Sequence, residues 1–115
     1  MLRKTKRQSV PHPGRPVRGS TSGRPIMAAL DLLGRRWTLR VLWELRDGPL
    51  GARALLEHCD GVSPSVLYQR LGELIEAGLV RQLDDLRYDL TDIGRGLGAA
   101  LEPLIEWSRR WAHQA

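Results

Sequence analysis

Apolar side chains recur at intervals of three and four residues in several stretches of this sequence, which is the spacing of helices that bury one face. The first stretch covers residues 26–33 and stops at Gly34, a residue suited to a helix end. The second covers residues 37–45, about three helical turns, and the Asp-Gly-Pro sequence at 47–49 closes it. A third, shorter stretch covers residues 52–56. The pattern therefore predicts three helices in the first half of the chain.

The strongest local signal is the start of a fourth helix. Ser63 is a natural N-cap, and Pro64 suits the first helical position because its missing N–H is not needed there. The helix is predicted to stop at Gly78. On a helical wheel its apolar residues fall on one stripe, which must face the core. These residues are Leu67, Leu71, Leu74 and Ile75.

Beyond Gly78 the pattern changes from helical to extended. Residues 79–83 and 86–90 flank Asp84-Asp85, so we expect a β-hairpin with a two-residue acidic turn, although Asp-Asp is a poorer hairpin turn than Asn-Gly.

Thr91 is predicted to cap a last helix over about residues 91–112. Small residues near its start, at 94–98, are expected to let a neighbouring helix come close. Apolar residues then follow at intervals of four and three, the pattern of a seam between two packed helices and equally of one helix packed on its own domain. Trp107 and Trp111 favour a partner, because their rings would otherwise remain in water. The seam consists of Leu97, Leu101, Leu104, Ser108 and Trp111.

Three helices, a capped helix, a hairpin and a last helix follow the order of a winged helix-turn-helix domain, a mainly α fold with a small β-hairpin wing. The outward face of the fourth helix is short and polar, as a helix in a major groove requires, and Gln69 can pair with adenine. Glu73 and Glu76 would repel phosphate, so only the first two turns are expected to enter the groove. The predicted DNA contacts are Ser63, Pro64, Ser65, Tyr68, Gln69, Arg70, Arg81 and Arg87.

Charge divides the chain into two parts. The first 24 of 115 residues hold seven Lys and Arg and no Asp or Glu, so residues 25–115 carry a formal charge of −2 although the whole chain has +5. Residues 1–24 are rich in Pro and Gly and poor in apolar side chains, which predicts a disordered basic arm before one folded domain, residues 25–115. The arm would either grip phosphates without sequence preference or be a solvated leader. A transit peptide ranks last, because Pro and Gly break the helix that such peptides form.

Composition also limits the function classes. No apolar run approaches the roughly 20 residues of a membrane span, and the chain starts with charged residues, so we expect a cytoplasmic protein without membrane contact. Cys59 is the single cysteine and is expected to be a structural thiol, since the sequence offers no set of zinc ligands beside it. Residues 94–99 match a dinucleotide-binding fingerprint only loosely. No catalytic constellation can be assembled, so we expect no enzyme activity, metal or cofactor.

Several short blocks resemble the HxlR-type winged helix-turn-helix transcriptional regulators of bacteria, within the MarR-like superfamily. The resemblance runs over residues 24–107, and the joint order and spacing of the blocks carry it. It implies a homodimer joined through the first and last helices, with the fourth helix in the major groove and the wing beside the minor groove or the backbone. The main blocks are Leu33-Gly34-Arg35-Arg36-Trp37-Thr38, Leu42-Trp43-Glu44-Leu45, Val62-Ser63-Pro64-Ser65-Val66-Leu67, Arg70-Leu71-Gly72-Glu73-Leu74, Ala77-Gly78-Leu79-Val80, Tyr88-Asp89-Leu90-Thr91 and Ile105-Glu106-Trp107.

The function expected from these observations is sequence-specific binding of double-stranded DNA by a homodimeric transcriptional regulator. A winged-helix module that binds protein, without specific DNA binding, is the alternative, because the folded part is slightly acidic and Glu73 and Glu76 lie on the reading helix. A small-molecule effector of unknown chemistry stays open. The predicted dimer contacts are Ile26, Leu30, Leu97, Leu101, Leu104, Trp107 and Trp111.

The chain departs from the family pattern in three places. Family members often carry a cysteine directly before the Pro-Ile pair, used by some of them to sense oxidants or electrophiles, and here that position is Arg24. The wing is shorter than usual and has Asp84 and Asp85 at its tip. The Arg-Phe pair usual before the third helix is replaced by Gly51-Ala52 or thereabouts, which removes one plausible phosphate contact.

Overall fold

The computed structural model describes residues 10–114, and within them five helices and one antiparallel hairpin form the predicted winged helix-turn-helix. No helix in this part of the chain combines the length and hydropathy that crossing a bilayer requires. The elements are α1 (Pro25–Leu33), α2 (Thr38–Glu44), α3 (Ala52–His58), α4 (Pro64–Glu76), β1 (Val80–Gln82), β2 (Tyr88–Leu90) and α5 (Asp92–Gln114).

The core lies where α2, α3 and α4 meet the hairpin. Three residues of the predicted apolar stripe on α4 are buried, while the fourth, Ile75, is 40% exposed. Ile75 is at the edge of that stripe, and the core ends before it. The buried side chains of the core include Val41, Leu45, Leu55, Leu67, Leu71, Leu74, Val80, Tyr88 and Leu90.

The second helix is shorter than predicted. It begins at Thr38 and has seven residues, two turns instead of three, because Trp37 adopts the left-handed backbone conformation with φ of 75°. This conformation turns the chain between α1 and α2, and the six-membered part of the Trp37 ring packs against Gly61, just before α4. Trp37 therefore supports the turn of the helix-turn-helix instead of extending α2.

The turn of the hairpin also differs from the prediction. The N–H of Leu86 donates to the carbonyl of Leu83 at 2.9 Å, and the N–H of Leu83 donates to the carbonyl of Arg87 at 2.8 Å. The loop thus has three residues, Asp84 to Leu86, instead of the two acidic ones, and Leu86 closes it in the left-handed conformation with φ of 72°. Val80 pairs with Leu90 in the hairpin that results.

Replacing Leu86 by glycine should stabilise the folded domain. Its side chain is 69% exposed, and its positive φ costs a leucine about 1 kcal/mol that glycine avoids. We expect Leu86→Gly to raise the free energy of unfolding by several tenths of a kcal/mol, up to about 1. Urea unfolding of both proteins at one concentration measures it. A stability loss of similar size would contradict the turn described above.

Part of the predicted disordered arm follows defined turns beside α1. The N–H of Gly14 donates to the carbonyl of Gly23 at 2.9 Å, the N–H of Arg18 donates to the Asp31 carboxylate at 3.2 Å, and Val10 is buried. Backbone hydrogen bonds and one buried apolar residue hold residues 10–24 against α1. The composition of the arm does not predict either contribution. Residues 1–9, which hold four of its seven basic side chains, lie outside the described residues.

The start of α5 is fixed by two residues. Thr91 caps the helix as predicted, since its hydroxyl accepts from the N–H of Gly94 at 3.1 Å and donates to the carbonyl of Gly78 at 2.7 Å. Gly94 is buried, and a Cβ there would overlap the carbonyl oxygen of Leu79. The close approach predicted for the small residues is therefore to the chain leading into β1 and not to another helix, and Gly96 faces open space.

Candidate nucleic-acid interface

The N-terminal turns of α4 present an exposed polar face. The hydroxyl of Ser63 accepts from the N–H of Val66 at 3.2 Å, which caps the helix as predicted. Pro64 occupies the first turn, where an absent N–H costs no hydrogen bond. At Gly72, farther along the helix, an added Cβ would meet nothing within 4 Å, so this surface is open. The exposed residues of this face are Ser63, Pro64, Ser65, Tyr68 and Gln69.

Arg70, also predicted to contact DNA, is engaged inside the domain. Its Nε donates to the carbonyl oxygen of Arg36 at 2.6 Å, and its terminal nitrogen donates to the carboxylate of Glu73 at 3.2 Å. The side chain is 16% exposed. Two of its three guanidinium nitrogens are thus engaged within the domain, where they link α4 to the loop between α1 and α2.

Glu73 has a different setting from the one expected for a residue that repels phosphate. Its carboxylate lies 3.0 Å from the guanidinium of Arg35 and 3.2 Å from that of Arg70, and it is 13% exposed. Two cations therefore neutralise it. The apolar spacing along α4 did not predict this pairing, and its one signal in the sequence is the adjacent Arg35 and Arg36, just after the stop at Gly34.

The two arginines of the wing are exposed and each has an acidic partner. Arg87 lies 2.8 Å from Asp85, and hydrogen bonds from the backbone N–H and then the guanidinium of Arg87 hold the pKa of Asp85 below its usual value. Arg81 lies 3.8 Å from Asp89, whose carboxylate is buried and also accepts from Arg95 at 3.0 Å. Arg81 is thus the more loosely held wing cation, and both point to the side of the hairpin that solvent reaches.

The predicted dimer contacts divide into two groups. Leu97 and Leu101 are half-buried and line a cleft of about 320 Å³ between α2 and α5, so they pack at least partly on their own domain. Trp107 and Trp111 stack on each other with ring centroids 5.5 Å apart, at the end of α5. The predicted contacts that are exposed on α1 and α5 are Ile26, Leu30, Leu104, Trp107 and Trp111, and Ile93 of α5, which was not predicted, is exposed as well.

Cys59 and its neighbour His58 do not form a chemical site. The thiol is fully buried, burial raises its pKa, and it belongs to the hydrophobic core. His58 lies 3.2 Å from Glu44 instead. Among residues 10–114, no group of three or more His, Cys, Asp and Glu is placed to hold a metal ion. The cysteine is a core residue, as its lack of partners in the sequence predicts.

An apolar cleft of about 400 Å³ lies between α1, the start of α5 and residues 11–13 of the arm. His12 is the only titratable residue among those that line it, and the charged groups of α4 lie elsewhere.

In the cleft between α2 and α5, the guanidinium of Arg46 lies 3.8 Å above the ring of Trp43. Trp43 lines that cleft while Trp107 and Trp111 stack far along α5, so these tryptophans do not share one pocket.

Comparison with known proteins places this geometry in a family. The family model described as HxlR-like helix-turn-helix matches residues 32–115. The HTH-type transcriptional regulator Rv3095 of Mycobacterium tuberculosis is 34% identical over 93 residues, which cover 74% of this chain and 57% of the relative. The chain therefore spans little more than half the length of its mycobacterial relatives.

Other matches are proteins of about the same length as this chain, and crystal structures of some of them are known. The HTH-type transcriptional regulator YodB of Bacillus subtilis is 30% identical over 96 residues, 78% of this chain and 86% of that protein. A crystal structure of quinone-bound YodB matches with a TM-score of 0.66 over 79% of this chain and 98% of that one. A structure described as a MarR-family regulator from Enterococcus faecalis is 31% identical and matches with a TM-score of 0.69 over 78% and 87% of the two chains. The chain belongs to the HxlR-like helix-turn-helix family.

Proposed function

We propose that this chain is a transcriptional regulator that binds double-stranded DNA as a homodimer, with α4 in the major groove. The observation that carries the proposal is the exposed polar face at the capped start of α4, which ends in Gln69 and carries no bulky aliphatic side chain. A groove accepts such a helix because short donors and acceptors reach base edges without holding the backbone away. The wing adds Arg81 and Arg87 beside it.

The exposed apolar surface of α1 and α5 supports the homodimer. Apolar side chains on both helices remain in contact with water in one copy, and a second copy related by a two-fold axis would cover them. Two reading helices would then meet half-sites about one helical turn apart on the DNA. A dimer that contacts both half-sites at once binds DNA more tightly than either copy alone, so dimerisation and DNA binding should be coupled.

Sequence selection from a random pool of duplex DNA tests the proposal, and Gln69→Ala sharpens it. We expect the wild-type protein to enrich a two-fold symmetric site, and Gln69→Ala to lose the preference for adenine at one position of each half-site. A bidentate contact from glutamine to adenine is worth about 1 to 3 kcal/mol of discrimination. Gln82, which lies on β1 and donates its amide N–H to the carbonyl of Leu86 at 3.0 Å, is the control for amide loss outside α4, and Gln82→Ala should keep the preference for adenine.

Failure of the selection would favour the alternative function. If no sequence is enriched at moderate salt while a protein co-purifies with the chain, the domain is a protein-interaction module. The net charge of −2 over residues 25–115 and the acidic tip of the wing are the observations on that side. Enrichment of a symmetric site would exclude it.

The arm is proposed to add sequence-independent affinity. Neutralising Arg3, Lys4, Lys6 and Arg7 together leaves the turns of residues 10–24 intact and removes four charges. We expect weaker binding to all sequences and a salt slope, log K against log salt, that is shallower by up to about three to four, since each phosphate contact contributes about 0.9. Binding titrations at several salt concentrations measure the slope. An unchanged slope would remove the arm from the DNA interface.

If the regulator uses an effector, that molecule would act without forming an adduct with a thiol at residue 24, the position before the Pro-Ile pair where family members often carry a cysteine. Arg24 stands there, and the single cysteine is buried in the core. Quinone is a ligand of the solved YodB structure. The apolar cleft between α1, α5 and residues 11–13 is the place where a small apolar molecule would fit in this chain without bond formation.

A further inference from the structure

Glu73 joins three side chains that sequence reasoning treats separately. Its carboxylate lies 3.0 Å from Arg35, 3.2 Å from Arg70 and 3.5 Å from the amide nitrogen of Gln69. The last distance is a long hydrogen bond, and the first two are charge-assisted contacts. We call these four residues the Glu73 cluster. Because the side chain of Glu73 is only 13% exposed, its carboxylate contacts the two guanidinium groups more than it contacts solvent.

The cluster ties α4 to the loop between α1 and α2. Arg35 and Arg36 follow α1 directly, and the carbonyl of Arg36 accepts from Arg70 at 2.6 Å. One residue later, the ring of Trp37 packs against Gly61 in the turn before α4. Three successive loop residues thus contact α4 or the turn before it. A displacement of α1 would reach the reading helix through these contacts.

Gln69 lies one helical turn before Glu73 on the same side of α4. A glutamine that reads adenine must offer its amide oxygen to the N6 amino group and one N–H to N7. If Glu73 accepts the other N–H of the amide, the side chain keeps one donor and its acceptor directed outward, which is the set that adenine needs. Fewer rotamers are then lost on binding.

We propose that Glu73 is a positioning residue for base recognition, whose carboxylate, held by Arg35 and Arg70, orients the amide of Gln69. The proposal rests on the proposed function, in which α4 reads the major groove. Glu73 touches no base itself. Its negative charge also lowers the affinity for DNA in general, because it offsets part of the positive charge of the two arginines beside the reading helix.

Two opposite effects of Glu73→Gln follow from this arrangement. Without the carboxylate, the reading helix loses one negative charge, so affinity for non-specific duplex DNA should rise a few-fold with a steeper salt slope. Gln69 loses its fixed acceptor, so the preference for adenine at its position should fall by roughly 5-fold to 10-fold. A residue that only stabilises the fold would lower both affinities together and leave the base preference unchanged.

The experiment measures binding of the full chain to the selected site, to the site with adenine replaced, and to random duplex. Glu76→Gln is the matched control, since it removes the same charge from the same helix, and Glu76 is exposed. It should raise non-specific affinity but keep the base preference. The double variant Gln69→Ala with Glu73→Gln should show the same preference for adenine over other bases as Gln69→Ala alone, because Glu73 acts through Gln69.

Each outcome decides the proposal. If the wild type binds its site specifically and Glu73→Gln keeps the full adenine preference, Glu73 is not a positioning residue, while the proposed function stands. If the wild type shows no preference for any sequence, the proposed function fails first. Circular dichroism checks that Glu73→Gln is folded. If that variant unfolds, Arg35→Gln is used instead, because it removes the contact between Arg35 and Glu73 from the side of the loop. Arg35→Gln should also show a reduced preference for adenine.

Discussion

Replacing Gly94 by alanine should destabilise the domain by about 1 to 2 kcal/mol. A methyl group at this position would overlap the carbonyl oxygen of Leu79, which is backbone and is held by the N–H of Thr91 at 3.0 Å. The start of α5 would have to move away from the chain leading into β1, and overpacking of this kind typically costs 1 to 3 kcal/mol. The gain in helix propensity from glycine to alanine offsets only about 1 kcal/mol.

Gly96→Ala is the matched control for this prediction. Gly96 lies on the same helix, and a Cβ there would meet nothing within 4 Å. We expect that variant to be as stable as the wild type or more stable, by up to about 1 kcal/mol. Thermal unfolding at one protein concentration measures both, since a dimer makes the midpoint concentration-dependent. Equal stability of the two variants would contradict the close contact between Gly94 and Leu79.

Replacing Leu104 by glutamate should convert a dimer to monomers and reduce affinity for a symmetric DNA site by about 100-fold or more. Leu104 is 50% exposed in one copy, so the charge costs little in the folded monomer. In the proposed interface it would be buried without a partner, which is strongly unfavourable. Loss of the second reading helix removes the gain from linked binding, typically 10² to 10⁴.

Sedimentation and DNA titration together check the Leu104 prediction. The control is His113→Glu, which adds the same charge on the opposite side of α5, at about 100° per residue. That variant should remain dimeric and bind DNA as the wild type does. A Leu104→Glu protein that stays dimeric would show that the dimer, if present, does not use this face of α5.

Elements with a chemical signal in the adjacent residues were predictable. Ser63 and Pro64 mark the start of α4 because a hydroxyl acceptor and an absent N–H satisfy the first turn by themselves. Thr91 marks the start of α5 for the same reason. The apolar stripe on α4 follows from helical spacing, and it is correct for Leu67, Leu71 and Leu74.

Predictions that depended on a single residue's backbone conformation were less successful. Trp37 reads as a helical apolar residue, and its left-handed backbone shortens α2. Leu86 reads as a strand residue, and it closes the turn with a positive φ. Neither residue favours that conformation intrinsically, since the left-handed region penalises any Cβ. The packing of the surrounding chain imposes it.

The candidate interface shows the same division. Spacing on one helix was enough to place Ser65 and Gln69 on an exposed face. The role of Arg70 depends on the carbonyl of Arg36, which lies 34 residues earlier in the chain. The availability of Arg70 to phosphate therefore depends on a distant neighbour, Arg36, as well as on Glu73 in its own helix.

Short-range chemistry thus determines where α4 and α5 begin, which side of α4 is apolar and that seven cations stand in the first 24 residues. Tertiary contacts decide how the charged side chains of residues 25–115 pair with one another. Glu73 and Asp89 each gather arginines from separate parts of the chain, and Gly94 brings α5 against the backbone of Leu79. The physical reason is that charge pairing and close approach depend on distances in space, which periodicity along a chain does not contain.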